Sequence, residues 1–115
     1  MRAAKGSYRP LRPHELHVLV ALAGGERHGY AIQQEVAARS AGAVRLGPGT
    51  LYETIARLLD RGLIRETGSK RSENEHAQRR YYALTTKGRR LLEAEVQRLG
   101  DVVRVARERL EGSEA

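Results

Sequence analysis

Thr50, Glu53, Thr54, Arg57 and Arg61 fall on one side of a stretch whose other side is apolar. At about 100° per residue, Leu51, Ile55, Leu58 and Leu59, spaced i, i+4, i+7 and i+8, form the opposite stripe of a helix. Two hydroxyls, a carboxylate and two guanidiniums on one helix face can read base edges. Arg pairs bidentately with guanine, Glu accepts from cytosine, and Thr touches a thymine methyl or a phosphate. The helix opens at Gly47-Pro48-Gly49, with proline near its first position. The free N–H groups of that first turn suit a phosphate, and Pro48, Gly49 and Tyr52 complete the candidate set. An ordinary solvated helix carries the same residue types, so the neighbouring segments must decide.

Those neighbours are basic. Lys70, Arg71, Arg79 and Arg80 flank the polar, turn-rich run from Gly68 to Arg79, which carries Glu73 and Glu75 near its middle. The short segments on either side, Leu63–Thr67 and Arg80–Leu84, are rich in β-branched and aromatic residues and predict two strands of a long hairpin. Lys70, Arg71 and Arg79 are the candidate phosphate contacts of that hairpin. Tyr81 and Tyr82 point to opposite faces of the strand, which places one of them in the core. Arg2, Lys5, Arg9 and Arg12 form a further basic arm at the N-terminus.

The whole chain of 115 residues carries 21 Lys and Arg against 14 Asp and Glu, a formal charge of +7, with a pI near 10.4. Residues 1–86 hold 14 of the basic residues against 8 acidic, and residues 87–115 hold 7 against 6. The first part therefore favours a polyanion and the tail does not. Without cysteine there is no thiol nucleophile, zinc finger or iron–sulfur site. His14-Glu15-Leu16-His17 has its second histidine one position short of the metalloprotease pattern. No catalytic residue, metal site or cofactor is assigned. A small hydrolase or metal enzyme is the poorest of the competing readings, and a winged helix used for protein–protein contact is the main alternative. No apolar run approaches the ~20 residues of a membrane span, and a cytoplasmic location is expected.

The elements that must hold these residues follow from spacing. Pro13 opens a first helix marked by Leu16, Leu19, Val20 and Ala23, which Gly24-Gly25 stops. A second runs from about Tyr30 to Ala41 with Ile32 and Val36 inside and Gly42 as C-cap. The third ends at Gly62. Thr85 or Thr86 caps a last helix that reaches about Glu111. In that last helix Leu92, Val96, Leu99, Val103, Ala106 and Leu110 alternate spacings of four and three, a narrow apolar seam of the kind that pairs with a second helix. The order helix, helix, helix, hairpin, helix predicts a mainly α-helical fold with a small β-hairpin. It divides into a flexible arm over 1–12, a winged helix-turn-helix over 13–86 and a dimerisation helix over 87–115.

Three separate motifs give a more specific match. His28-Gly29-Tyr30-Ala31-Ile32, then Gly49-Thr50-Leu51-Tyr52 with Arg57-Leu58 and Gly62-Leu63-Ile64, then Arg80-Tyr81-Tyr82-Ala83-Leu84-Thr85 with Gly88-Arg89, closely resemble the PadR family of bacterial transcriptional regulators over residues 13 to about 99. The resemblance implies a repressor that binds double-stranded DNA at a pseudo-palindromic operator, a homodimer built by the C-terminal helix, and a recognition helix beginning near Pro48. The single tail helix resembles the smaller of the family's two size classes. Some small members sandwich flat aromatic ligands between tryptophans, whereas this chain has no Trp and no Phe. The resemblance allows a small-molecule effector, whose identity the residues do not give.

Overall fold

The computed structural model describes the backbone of residues 9–71 and 78–112, and the side chains of these residues apart from 69–71 and 78–79. Arg2 and Lys5 of the expected arm, the hairpin tip with Glu73 and Glu75, and the side chains of Lys70, Arg71 and Arg79 lie outside the described residues.

Helix α1 spans Pro13–Ala23. Proline opens it, and Glu15, three residues past the cap, accepts the Arg12 backbone N–H at 2.9 Å. Its buried face is Val18, Leu19, Ala21 and Leu22; Leu16 and Val20 only flank the core and Ala23 is exposed, which corrects the expected stripe. Strand β1 is the two residues Arg27–His28, and α2 follows directly over Gly29–Arg39. His28 caps α2: its Nδ1 accepts the Ala31 N–H at 3.1 Å. Helix α3 spans Pro48–Asp60. It ends where Gly62, at φ +73°, lets the Leu63 N–H return to the Leu58 carbonyl at 3.0 Å.

Strands β2 (Ile64–Arg71) and β3 (Gln78–Leu84) pair antiparallel with a bulge between Glu66 and Gly68. Among the described residues β1 adds to the other edge of β3, giving the order β1-β3-β2, with His28 opposite Tyr81 and Arg27 opposite Tyr82. The sequence predicted only the hairpin. Two residues show no period, so β1 becomes a strand only because β3 offers it a partner. Tyr82 is buried, while Tyr81 meets the His28 ring edge-on at 5.3 Å.

Helix α4 spans Thr86–Gly112. The Thr85 hydroxyl accepts the Gly88 N–H at 2.9 Å and donates to the Gly62 carbonyl at 2.7 Å, so one side chain caps α4 and ties it to the end of α3. A Cβ on Gly88 would stand 1.9 Å from the Leu63 carbonyl oxygen, so only glycine lets α4 approach the start of β2 this closely. The core gathers Val18, Leu19, Leu22, Ile32, Val36, Leu46, Leu51, Ile55, Leu58, Leu63, Tyr82 and Leu92. No helix among the described residues is long and apolar enough to cross a membrane.

Candidate nucleic-acid interface

Helix α3 is held from behind by Leu51, Ile55 and Leu58, all buried. Its outward side presents Pro48, Gly49, Thr50, Tyr52, Glu53 and Arg57, all exposed. Among the described residues the Arg57 side chain makes no ion pair or hydrogen bond, which leaves its guanidinium available to a partner outside the chain. The phenol of half-exposed Tyr52 leans over Gly29: a Cβ there would lie 2.4 Å from its hydroxyl oxygen. That contact explains why glycine follows His28 at the start of α2. Tyr30, next along α2, is exposed and accepts a hydrogen bond from Gln34 at 2.9 Å.

Two expected members of the face, and one of the inner stripe, behave otherwise. Thr54 is buried, and its hydroxyl donates to the Thr50 carbonyl at 2.8 Å. It stands three residues after Leu51 and one before Ile55, and a side chain this small is absorbed by the core once its hydroxyl is satisfied by its own helix. Arg61 lies past the last helical turn and its side chain turns back to Glu15 of α1, at 3.4 Å. Leu59, assigned to the inner stripe, is instead partly exposed. In the hairpin the register sets Lys70 opposite Arg79 and Arg71 opposite Gln78, so the basic residues occupy neighbouring positions on the two strands.

Residues 18–94 match the family described as "Transcriptional regulator PadR-like family". The chain belongs to that family. This PadR-like regulator is 27% identical to a solved PadR-like transcriptional regulator of Bacillus cereus, with a TM-score of 0.71 over 84% of this chain and 89% of the other. A PadR family regulator of Clostridium difficile is 26% identical, with a TM-score of 0.72 over 84% and 97%. At 21% identity, a Bacillus subtilis PadR solved in complex with operator DNA shares the fold with a TM-score of 0.65, over 74% of this chain and 47% of that one. A protein encoded in transposon TN4556 of Streptomyces fradiae is 41% identical over 81 residues, 70% of this chain; the match spans 21% of that relative's length. The fold is thus a winged helix-turn-helix, as expected.

The last helix of this PadR-like chain divides in two. Leu92, expected as the first residue of a pairing seam, is 6% exposed and packs into its own domain's core. Beyond it Val96, Val103 and Leu110 are 55%, 48% and 67% exposed, Ala106 is exposed, and Leu99 is half-buried. Val102, outside the expected seam, is exposed as well. Sequence reasoning also missed Glu95, which is 1% exposed. Its Oε2 accepts the Leu11 N–H at 2.9 Å, and its Oε1 pairs with Arg98 at 2.6 Å. The spacing held the signal: Glu95 stands three residues after Leu92 and four before Leu99, on the apolar side of the helix. No group of three or more metal-ligating side chains occurs among the described residues. His17 instead contacts Arg39, which donates to its carbonyl oxygen at 3.2 Å.

Proposed function

We propose that this chain is a sequence-specific DNA-binding repressor that acts in the cytoplasm as a homodimer on a pseudo-palindromic operator. The observation that carries the reading is the outward side of α3, where Thr50, Tyr52, Glu53 and partnerless Arg57 stand on a helix anchored by a continuous apolar stripe. The neighbouring hairpin brings Lys70, Arg71 and Arg79 to paired or adjacent register positions, as a wing that grips phosphates requires. The exposed apolar residues of α4 from Val96 to Leu110 support the dimer, because a water-facing stripe of this length is stabilised by a second copy. Two copies would carry two α3 helices to half-sites about one DNA turn apart. The operator DNA in the Bacillus subtilis complex supports the same assignment.

The test is selection of bound genomic fragments by the purified protein, followed by gel shifts on one of them. Log affinity should fall by about 0.9 per phosphate neutralised for each unit of log salt. Arg57→Ala should weaken the selected site by about 1–3 kcal/mol and relax preference at one base pair, with the melting temperature unchanged. Lys70→Ala should weaken all duplexes alike. A salt-independent response, or an Arg57→Ala protein that binds its site as wild type does, would refute the assignment. Removal of the protein from its host should raise transcription from the bound promoter.

A further inference from the structure

A cleft of about 450 Å³ opens where the arm, the end of α3, the start of β2 and the first turns of α4 meet. Arg9, Arg61, Lys87 and Arg90 line it, and the remaining lining, Leu63, Leu91 and Ala94, is apolar. No carboxylate lines it among the described residues. Arg61 is compensated from outside by Glu15, at 3.4 Å. Lys87 donates to the neutral Arg61 carbonyl at 3.0 Å. Among the described residues Arg90 makes no ion pair, so Lys87 and Arg90 stand at the cleft without a counter-charge, with Arg9 beside them.

The charges are placed against their local interest. Lys87 and Arg90 are like charges three apart on one helix, an arrangement that destabilises it. Both lie in the first turns of α4, which has no acidic residue in its first turn, so they oppose the helix dipole as well. An adjoining cleft of about 150 Å³ shares Arg9 and Arg61 and shows the ordinary solution, since Glu15 and Asp60 line it beside the cations. The larger cleft lacks that compensation and has the volume of a small-molecule site.

We propose that this cleft binds a phosphorylated small organic molecule. Two uncompensated cations, with Arg9 beside them, call for an anion of more than one charge. The guanidinium fork suits phosphate oxygens, and Leu63, Leu91 and Ala94 offer an apolar surface to an organic body. The cleft lies at the Arg61 end of α3, roughly 20 Å along the helix axis from Pro48, away from the first turn proposed to meet DNA. Its lining joins the start of the wing, at Leu63, to α4, so an occupant would touch both elements that set the spacing of two α3 helices. The proposal does not depend on what α3 reads.

The test is calorimetry on the full chain without DNA, using inorganic pyrophosphate and ADP as probes and chloride at equal ionic strength as reference. Wild type is expected to bind pyrophosphate saturably, and ADP more tightly because its nucleoside covers the apolar lining. Arg90→Gln, a change at an exposed and partnerless side chain, should weaken both by about tenfold, the loss of one charged hydrogen bond. Arg107→Gln, on the far part of α4, should change neither. Absence of saturable binding, or an equal loss in Arg107→Gln, overturns the proposal. Pyrophosphate bound with ADP rejected overturns the organic ligand. An Arg90→Gln protein that keeps pyrophosphate binding but loses affinity for all duplexes assigns the cations to the DNA backbone instead.

Discussion

The two halves of α4 share one helix and one amphipathic period, yet they meet different surroundings. From Thr86 to Glu95 the helix is part of the winged domain: Gly88 touches the Leu63 backbone, Leu92 fills the core and Glu95 is sealed beneath the arm. From Val96 to Leu110 the same apolar side runs on with most of it exposed. Twenty-seven residues at 1.5 Å each make a rod of about 40 Å, longer than a domain of this size can cover. The first half therefore answers to the constraints of a core, and the second is the part proposed to pair with another copy. A rigid helix that spans both transmits the position of one winged domain to whatever covers the far half.

The comparison is broken most severely in the far half. Leu99→Glu sets a carboxylate in the middle of the proposed pairing seam. The expected product is a folded monomer whose operator affinity falls by roughly 10²–10⁴ once the second half-site is lost. Sedimentation of wild type and variant beside gel shifts on one operator reads both effects. A wild type that sediments as a monomer at micromolar concentration yet binds a palindrome tightly would sink the division.

In the near half, damage should appear as lost stability. Gly88→Ala drives a methyl into the Leu63 carbonyl at a spacing no rotamer can relieve, so α4 or β2 must shift. The expected loss is about 3 kcal/mol, at the upper end for overpacked sites, read by urea denaturation of wild type and variant. A variant of unchanged midpoint would show that α4 can slide along the domain. Glu95→Gln is milder. It keeps the shape but replaces an ionised acceptor of the Leu11 N–H and Arg98 by a neutral amide. A loss of about 2 kcal/mol is expected, with faster proteolysis at the arm. Rescue by added salt would count against it, because a buried carboxylate is weakly screened.

The sequence made the near half of α4 harder to read than the far half. A seam of spacings four and three identifies an apolar side but not its occupant, so spacing alone groups Leu92 with Val96 and Leu99. Charge misled in the same way at Glu95, since an acid reads as exterior until its partners, 84 residues away at Leu11 and three away at Arg98, are in place. In α3 the helical period placed Leu51, Ile55, Leu58 and Arg57 correctly. It failed at Thr54, on the boundary between faces, and at Arg61, where the period no longer applies because the helix has ended. The cleft around Arg9, Lys87 and Arg90 has no sequence signature, because three separate stretches of the chain supply its lining.

The smallest expected effect lies at the other junction that steadies the winged domain, between α1 and α2. The His17 pKa is lowered below 6.5, chiefly by burial and then by the charges of Arg39 and His14. Arg39 approaches His17 Nδ1 at 3.5 Å and is itself held by Glu35 at 2.6 Å, which also pairs with Arg27 of β1 at 3.0 Å. Because the folded pKa lies below the unfolded one, the unfolded chain binds more protons as pH falls through 6.5, and stability must decline there. Above the unfolded value both states hold a neutral imidazole and the contribution vanishes. His17→Gln should therefore flatten the stability profile between about pH 7 and pH 5 while leaving stability at pH 8 close to wild type. Urea midpoints at three pH values suffice. A variant that keeps the full acid slope would move the cause to other groups, and one equally weakened at all pH values would show that His17 acts by packing and not by its charge.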